Sequence, residues 1–320
     1  MLIERQADWV RIEAPAKINL FLEVLGKRPD GFHEVETLLC PISLFDTLQL
    51  RPTEDPAIRL HVRTPAASDA PLGDGDLAWQ VPSDERNLVR RAVRLVQQHL
   101  GESRGCELLL EKRIPAAAGL GGGSSDAAAA VVASLLAWGQ WDRPLATQIC
   151  ATLGSDVPFF LGAPQGIGLA LARGRGERCQ PLSLRPELSF VVTHPPVGCP
   201  TAAVFREFVA VGKVRQFQDF VVACETGQLQ KIGAALFNAL QSPASRLTDW
   251  IERQLHLFAD CGANHGLMCG SGSSCFALIE EPEVADRIRQ AAEATGLTRI
   301  YSVRAWYGNS IEQQLETQVG

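Results

Sequence analysis

The sequence predicts an α+β protein built as two domains, on three observations. Its 320 residues exceed the roughly 100–200 of a usual single domain. Strand-like and helix-like stretches fall in blocks, strands then helices and again strands then helices, whereas a doubly wound parallel sheet needs them to alternate one by one. A break near 178–188, flanked by Pro181 and Pro186, separates the two sets and places the expected division between residues 1–180 and 181–320. A hydrophobic content of 46% with 21% charged residues belongs to an ordinary globular chain and excludes a disordered, collagen-like or coiled-coil one.

The elements follow in order. Residues 9–25 (WVRIEAPAKINLFLEVL) alternate and are rich in apolar and β-branched types, so they read as strands, with Pro15 expected to interrupt them. Residues 26–32 form a loop around a Pro29-Asp30-Gly31 turn, and strand character returns over 35–50. The Pro, Gly and Asp residues of 51–83 predict hairpins and loops. Leu88, Val89, Ala92, Leu95 and Val96 recur near a period of 3.6, which predicts a helix over 87–100 stopped by Gly101. A buried strand over 107–112 feeds a glycine-serine loop at 114–126. The alanine-rich 127–138 is a helix, as is 144–153, and 154–161 turns into a short one. A strand over 166–172 and a GRGER turn close the first half. In the second half, strands are expected at 190–193, 267–269 and 276–279, the last two around a second glycine-serine loop at 270–274. Helices are expected near 201–211, 214–226, 245–260 and 283–295.

A net charge of −6 argues against a general nucleic-acid or membrane-surface binder, and an anionic ligand must be met by local positive potential. The nine cysteines are odd in number and form no CxxC pair. They read as buried thiols of a reducing compartment, and with the six histidines they form no zinc pattern. The first residues hold no apolar signal-peptide core. The longest apolar run, 127–138, is broken by Ser134 and falls short of the roughly 20 residues of a membrane span. A cytoplasmic protein is expected.

The strongest chemical signal is Gly119-Leu120-Gly121-Gly122-Gly123-Ser124-Ser125-Asp126. Glycine lets a backbone approach a ligand closely, and the free amides at a helix start favour an anion. Ser124 and Ser125 add hydroxyls, so phosphate suits the loop. A side chain at Gly122 or Gly123 is expected to block that approach or distort the turn. A Walker A loop needs Lys where Ser124 stands, and the third glycine of a Rossmann loop falls on Ser124 or Asp126. The protein-kinase HRD and DFG signatures do not occur. A flexible linker would not sit between two committed apolar elements.

Other residues carry two readings each. Asp156, a lone carboxylate in GSDVPFF, suits a general base whose proton affinity desolvation raises, or a helix N-cap ahead of Pro158. Lys17 stands in an apolar strand, where a lysine is seldom buried unless paired; the alternative is a side chain snorkelling from a sheet edge. Asn19 shares its strand face. Asp126 is a candidate helix cap. His33 is exposed or structural unless a ligand uses it, and Phe205 is core packing on an amphipathic helix unless it lines a pocket.

The run Pro115-Ala116-Ala117-Ala118-Gly119-Leu120-Gly121-Gly122-Gly123-Ser124-Ser125 resembles the nucleotide-phosphate motif of the GHMP small-molecule kinases, the group of galactokinase, homoserine kinase and mevalonate kinase. Residues 14–22 (APAKINLFL), 28–34 (RPDGFHE), 154–160 and 270–274 extend the resemblance in order along most of the chain. They narrow it to a branch acting on a cytidine diphosphate compound. Ala117 stands where the motif usually has Gly, Cys269 where a small hydroxyl residue is common, and Phe32 where Tyr is frequent.

The resemblance implies a ribosomal-protein-S5-like N-terminal domain and a ferredoxin-like C-terminal α/β sandwich. ATP is the implied co-substrate at the glycine loop, with Mg2+ expected, and the acceptor lies between the domains. Small molecules are the implied partners, with no nucleic acid or membrane, in a monomer or homodimer. Asp156 is the implied catalytic base. Lys17 beside it polarises the acceptor hydroxyl, its charge opposing desolvation of the carboxylate. Ser124 and Ser125 are implied as phosphate and magnesium hydroxyls. Asn19 is placed near the diphosphate or the acceptor. His33 hydrogen-bonds the cytosine, Phe32 stacks on it, and Thr201 and Phe205 form the pocket's second side. Asn87 and Lys112 fall near the adenosine; their alternatives are a helix-start residue and a surface lysine. The 270–274 loop closes over the reacting phosphate or is a strand-joining turn. Another kinase of the group, of the homoserine or phosphomevalonate type, is the alternative; the Phe32–His33–Phe205 set suits a cytosine and has no evident purpose for homoserine. A non-catalytic relative is expected to have lost Lys17 or Asp156.

Overall fold

The computed structural model describes residues 1–6, 8–65, 79–210, 214–297 and 299–318. Part of the expected hairpin-and-loop stretch, 66–78, and position 211 of an expected helix lie outside the described residues.

Two sheets organise the chain. The first follows the order β1 (Leu2–Arg5), β2 (Val10–Lys27), β3 (His33–Thr53), β5 (Gly105–Glu111), β4 (Ile58–Arg63). β6 (Ala170–Gly174) pairs with β3, and β7 (Arg178–Pro181) with β6. β2 runs through Pro15 without the expected interruption. Its register against β3 slips between Pro15 and Ala16, and such a bulge accommodates a residue with no N–H to give the ladder. β4 does not form a hairpin with β3. It lies parallel to β5, a pairing that needs a long crossover, and α1 (Leu88–Leu100) lies in that connection.

Local chemistry explains α1. The Asn87 carboxamide oxygen accepts from the Val89 amide at 2.9 Å, and Gly101 ends the helix in the left-handed region at φ 63°. α2 (Gly122–Ala137) departs from expectation by starting well before residue 127. Glycine costs up to about 1 kcal/mol per position in a helix, but α2 is buried from Ser125 to Leu136, and burial on all sides overrides propensity. Gly122, Gly123, Ser124 and Ser125 are therefore the first turn of a helix. α3 (Arg143–Leu153) and α4 (Val157–Leu161) pack beside α2 over the sheet. Val93, Leu108, Val131 and Phe160 belong to the core they enclose.

The second sheet is antiparallel in the order β10 (Gly266–Met268), β11 (Cys275–Ile279), β8 (Ser189–His194), β12 (Arg299–Arg304). In chain order its strands lie 2-3-1-4, the ferredoxin-like arrangement the resemblance implied, with α10 (Pro282–Ala294) among its helices. The expected single helix over 245–260 is two, α8 (Gln241–Leu247) and α9 (Trp250–Asp260), parted by an extended Thr248. α5 (Thr201–Glu207) and α6 (Gln218–Thr226) are shorter than their patterns.

The halves interlock. Ile18, Leu38 and Ile42 of the first sheet share a core with Phe190, Phe276 and Leu278 of the second. Beyond α7 (Leu229–Ala234), β9 (Phe237–Asn238) joins β2 in parallel. The tail returns as α11 (Ile311–Thr317), opened by a Ser310–Gln313 capping box. Its Gln314 accepts from the Ile3 amide at 2.9 Å and donates to the Met1 carbonyl at 3.0 Å.

Candidate active site

The two-residue period of β2 puts Lys17 and Asn19 on one face, 4% and 3% exposed. A buried ammonium needs partners, and this one has two. Lys17 Nζ donates to Asn19 Oδ1 at 2.7 Å and lies 3.7 Å from Asp156 Oδ2. Asn19 Nδ2 donates to Thr37 Oγ1 at 2.7 Å, and that hydroxyl donates to the Phe21 carbonyl at 2.7 Å. The relay fixes which end of the Asn19 amide faces the lysine. Asp156 occupies the N-cap position of α4, but its side chain makes no capping hydrogen bond and turns toward Lys17.

The glycine loop is pinned to the same strand by the Lys17 amide, which donates to the Leu120 carbonyl at 2.9 Å. Gly119 and Gly121 sit at φ 75° and 72°. A β-carbon at Gly119 would collide with the Cys269 carbonyl, and one at Gly121 would lie 3.0 Å from Lys17 Cγ and from a Phe160 ring carbon. At Gly122 it would press on Ile114 Cγ2 at 2.8 Å, whereas at Gly123 it meets nothing within 4 Å. The two glycines expected to be equivalent are thus different: Gly122 is a packing residue and Gly123 faces open space. Ala117 stands at φ 53°, the backbone that the usual glycine of this motif adopts freely. Pro115, Ala118 and Leu120 are buried beneath the loop, with Ala116 half-buried. Ser125 Oγ is buried without a hydrogen-bond partner among the described residues.

A cavity of about 990 Å³ is lined from this stretch by Ala117, Gly119 and Gly121, whereas Pro115, Ala116, Ala118, Leu120 and residues 122–125 are not among its lining residues. Its walls bring together Lys17, Asn19, Asp156, Ala117, Gly119 and Gly121 with Phe32, His33, Thr201 and Phe205, and with 270–272. Asp156 is the single carboxylate among the described lining residues, against the cations Lys17, Lys27, Arg175 and Arg206. This acidic chain therefore concentrates positive charge where an anion would enter. Lys27 and Arg206 carried no signal in the sequence, and Arg175 was legible only as part of a turn.

In the cavity wall the His33 ring stacks on Phe205, centroids 4.8 Å apart at 24°, with Phe208 edge-on at 6.4 Å. Burial and the charge of Lys27 lower the His33 pKa, which favours the neutral ring. Phe32 is 54% exposed and carries the Arg175 guanidinium 4.9 Å from its centroid. Thr201 Oγ1 meets Ser271 Oγ at 2.8 Å.

Asn87 and Lys112 are not among the cavity's lining residues. Both ends of the Asn87 amide are used at the start of α1, the nitrogen donating to the Pro82 carbonyl at 2.6 Å. Lys112 is not a surface lysine. It is buried between Asp46 and Asp126, whose Oδ2 lies 2.6 Å away. A cation there must be neutralised in place. Asp126 is accordingly not a cap. Burial pushes its pKa up to about 8 against the opposing pull of Lys112.

The 270–274 loop is held from behind by His194, whose Nδ1 lies 2.9 Å from Ser274 Oγ. Burial pushes the His194 pKa down to about 4. Between pH 6.5 and 4 the unfolded chain binds this proton and the folded one does not, so stability falls as pH drops through that window, by up to about 3 kcal/mol. Urea midpoints measured across it should flatten in His194→Asn; an unchanged slope would place the titration elsewhere.

The fold and the site define a small-molecule kinase of the GHMP type. Residues 87–163 match the family profile described as GHMP kinases N terminal domain, and residues 220–297 that described as GHMP kinases C terminal. The chain is 36% identical over 313 residues to a 4-diphosphocytidyl-2-C-methyl-D-erythritol kinase from Rhodopirellula baltica, covering 92% of each chain. It is 40% identical over 298 residues to the kinase of that name from Pelotomaculum thermopropionicum, covering 91% of this chain and 98% of the relative. A crystal structure of a 4-(cytidine 5'-diphospho)-2C-methyl-D-erythritol kinase superimposes with a TM-score of 0.72 at 34% identity, covering 93% of this chain and 99% of that one. A homoserine kinase from Cytophaga hutchinsonii, 20% identical with a TM-score of 0.65 over 97% of each chain, shares the fold. The chain belongs to the GHMP kinase family, among the 4-diphosphocytidyl-2-C-methyl-D-erythritol kinases. No described helix is long and apolar enough to cross a membrane.

Proposed function

We propose that the chain transfers the γ-phosphoryl group of ATP to the 2-hydroxyl of 4-diphosphocytidyl-2-C-methyl-D-erythritol, giving ADP and the 2-phosphate, in non-mevalonate isoprenoid precursor synthesis. The observation that carries this reading is that one cavity is lined both by the Lys17–Asp156 pair and by the stacked rings of His33 and Phe205. Asp156 takes the hydroxyl proton. Lys17, held by the Asn19–Thr37 relay, polarises the oxygen, which attacks the γ-phosphorus. The amides and hydroxyls of the first turn of α2 receive the phosphates, so catalysis is mainly positioning and charge neutralisation. Asn87 and Lys112 act behind this surface, one by starting α1 and the other by anchoring α2 through Asp126.

Magnesium suits this site. Among the described residues no three His, Cys, Asp or Glu side chains cluster as a metal cage, and magnesium binds through one or two protein oxygens together with water and substrate phosphates. The Ser124 hydroxyl and the unpartnered Ser125 Oγ would hold it. When bound, it would neutralise phosphate charge. The remaining parts of the proposal are a cytoplasmic monomer or homodimer with small-molecule partners, no nucleic acid or membrane, and a division at 180/181. The nine free cysteines fit a reducing compartment.

Cytosine carries an amine where uracil carries a carbonyl, and neutral His33 has a ring nitrogen to accept from that amine. We expect His33→Ala and Phe205→Ala each to weaken binding of the cytidylyl compound with little change for ATP. The uridylyl analogue should lose far more than the roughly 1–3 kcal/mol of one stacked base, because its carbonyl leaves buried polar groups unpaired. Turnover of the cytidylyl and uridylyl compounds, homoserine and phosphomevalonate, assayed side by side, tests the reading. Equal kcat/KM for the two nucleotides, or preference for a non-nucleotide acceptor, would overturn it.

A further inference from the structure

The 270–272 segment reaches the catalytic groups from the C-terminal half of the chain. A β-carbon at Gly270 would stand 3.2 Å from Lys17 Nζ, 3.4 Å from Asn19 Oδ1 and 3.1 Å from the Gly119 carbonyl. The Gly270 backbone is thus laid directly on the lysine, its relay partner and the phosphate loop. The side chain that holds it there is Asn238. Its Nδ2 donates to the Met268 and Gly270 carbonyls, both at 2.8 Å, and its Oδ1 accepts from the Leu240 amide at 2.9 Å. Both amide hydrogens and the carbonyl are used, and the residue is 5% exposed.

Asn238 is itself registered on the catalytic strand. β9 pairs with β2 at Phe21–Phe237 and Leu22–Asn238, and the Ala239 amide donates to the Leu22 carbonyl at 2.9 Å. The loop's other side-chain anchors grip residues after Gly270, beginning with Thr201, whose Oγ1 meets Ser271 Oγ at 2.8 Å. Gln254 Nε2 donates to the Ser273 carbonyl at 3.0 Å, Ser273 Oγ to the Val197 carbonyl, and Ser274 Oγ meets His194. One carboxamide therefore joins the strand bearing Lys17 and Asn19 to the loop that rests on them.

We propose that Asn238 is a positioning residue for phosphoryl transfer, holding Gly270 against Lys17 so that the lysine keeps its place between Asn19 and Asp156. The kinetic part of this inference rests on the reaction proposed above; the structural part does not. Only an amide fits the role. An aspartate of the same shape would turn oxygen toward two carbonyl oxygens, and an alanine would leave both unpaired.

The test compares Asn238→Asp and Asn238→Ser, the latter keeping one donor, with the unsubstituted protein. Three readouts are taken: steady-state kinetics, backbone hydrogen exchange over 269–274, and the rate at which acetic anhydride modifies Lys17, read by mass spectrometry. We expect kcat to fall roughly 10- to 100-fold with the KM for ATP nearly unchanged. Exchange in the loop should quicken about tenfold, Lys17 acetylation should rise several-fold, and Asn238→Ser should lie between. If both variants fold and keep the original exchange and Lys17 reactivity, Asn238 does not position the pair. A kcat loss matching the unfolded fraction, with Lys17 reactivity unchanged in the folded fraction, likewise overturns the proposal. If the unsubstituted protein fails to phosphorylate the cytidylyl compound, the proposed function is wrong, while exchange and labelling still decide the role of Asn238.

Discussion

Asp156→Asn should lower kcat by roughly 10²-fold or more while leaving ATP affinity largely intact. Asparagine keeps the shape and loses the proton acceptor. The Asp156 side chain makes no capping hydrogen bond, so the start of α4 should persist, and any loss of folding stability should come from the Lys17 charge left without its ionic partner. Lys17 would lose its ion-pair partner at 3.7 Å and keep Asn19 at 2.7 Å, so its position should persist. Single-turnover kinetics with ATP calorimetry separate these effects. Near-normal turnover would reduce Asp156 to a residue at the start of α4.

Gly119→Ala and Gly123→Ala should both weaken ATP binding and should part in folding stability. At Gly119 a β-carbon meets the Cys269 carbonyl, with the Gly272 carbonyl at 3.2 Å, on a backbone of φ 75°. Both the clash and the strain press the phosphate loop away from the C-terminal loop. We expect a loss of at least about 2 kcal/mol in folding stability and loss of measurable ATP binding. Gly123 lies inside α2 with open space beyond it. Alanine there should leave stability equal or raise it by up to about 1 kcal/mol, while ATP affinity falls because the new methyl stands where the phosphates approach. Calorimetry and denaturant unfolding of both variants check this. Unchanged ATP affinity in Gly123→Ala would move the phosphate seat away from the start of α2.

Gly122 shows why a substitution chosen from sequence alone misleads. The sequence expects a side chain there to block the approach of a phosphate or to distort the turn; the β-carbon points at Ile114, so Gly122→Val would damage packing before it informed on ATP.

What the sequence determined by itself is what neighbouring residues decide among themselves. The Asn87 cap and Gly101 stop of α1, the Pro29-Asp30-Gly31 turn, the glycine loop between strand and helix, and the alternation that puts Lys17 beside Asn19 all act over a few residues. Chemistry at short range therefore made them legible, and the ordered motifs extended that reading to the family. The tertiary structure decided what depends on partners far along the chain. Lys112 reads as a surface lysine until Asp46 and Asp126 enclose it. The glycines of 122–123 read as loop until burial of α2 offsets their helix cost. Pro15 reads as a break until a slipped register admits it. Asn238 has no local pattern, because its meaning lies in a parallel pairing with β2 and in two carbonyls some 30 residues onward. Local propensities are worth tenths of a kcal/mol to about one, whereas burying a charge or an unpaired polar group costs several, so where the two conflict the long-range contacts prevail.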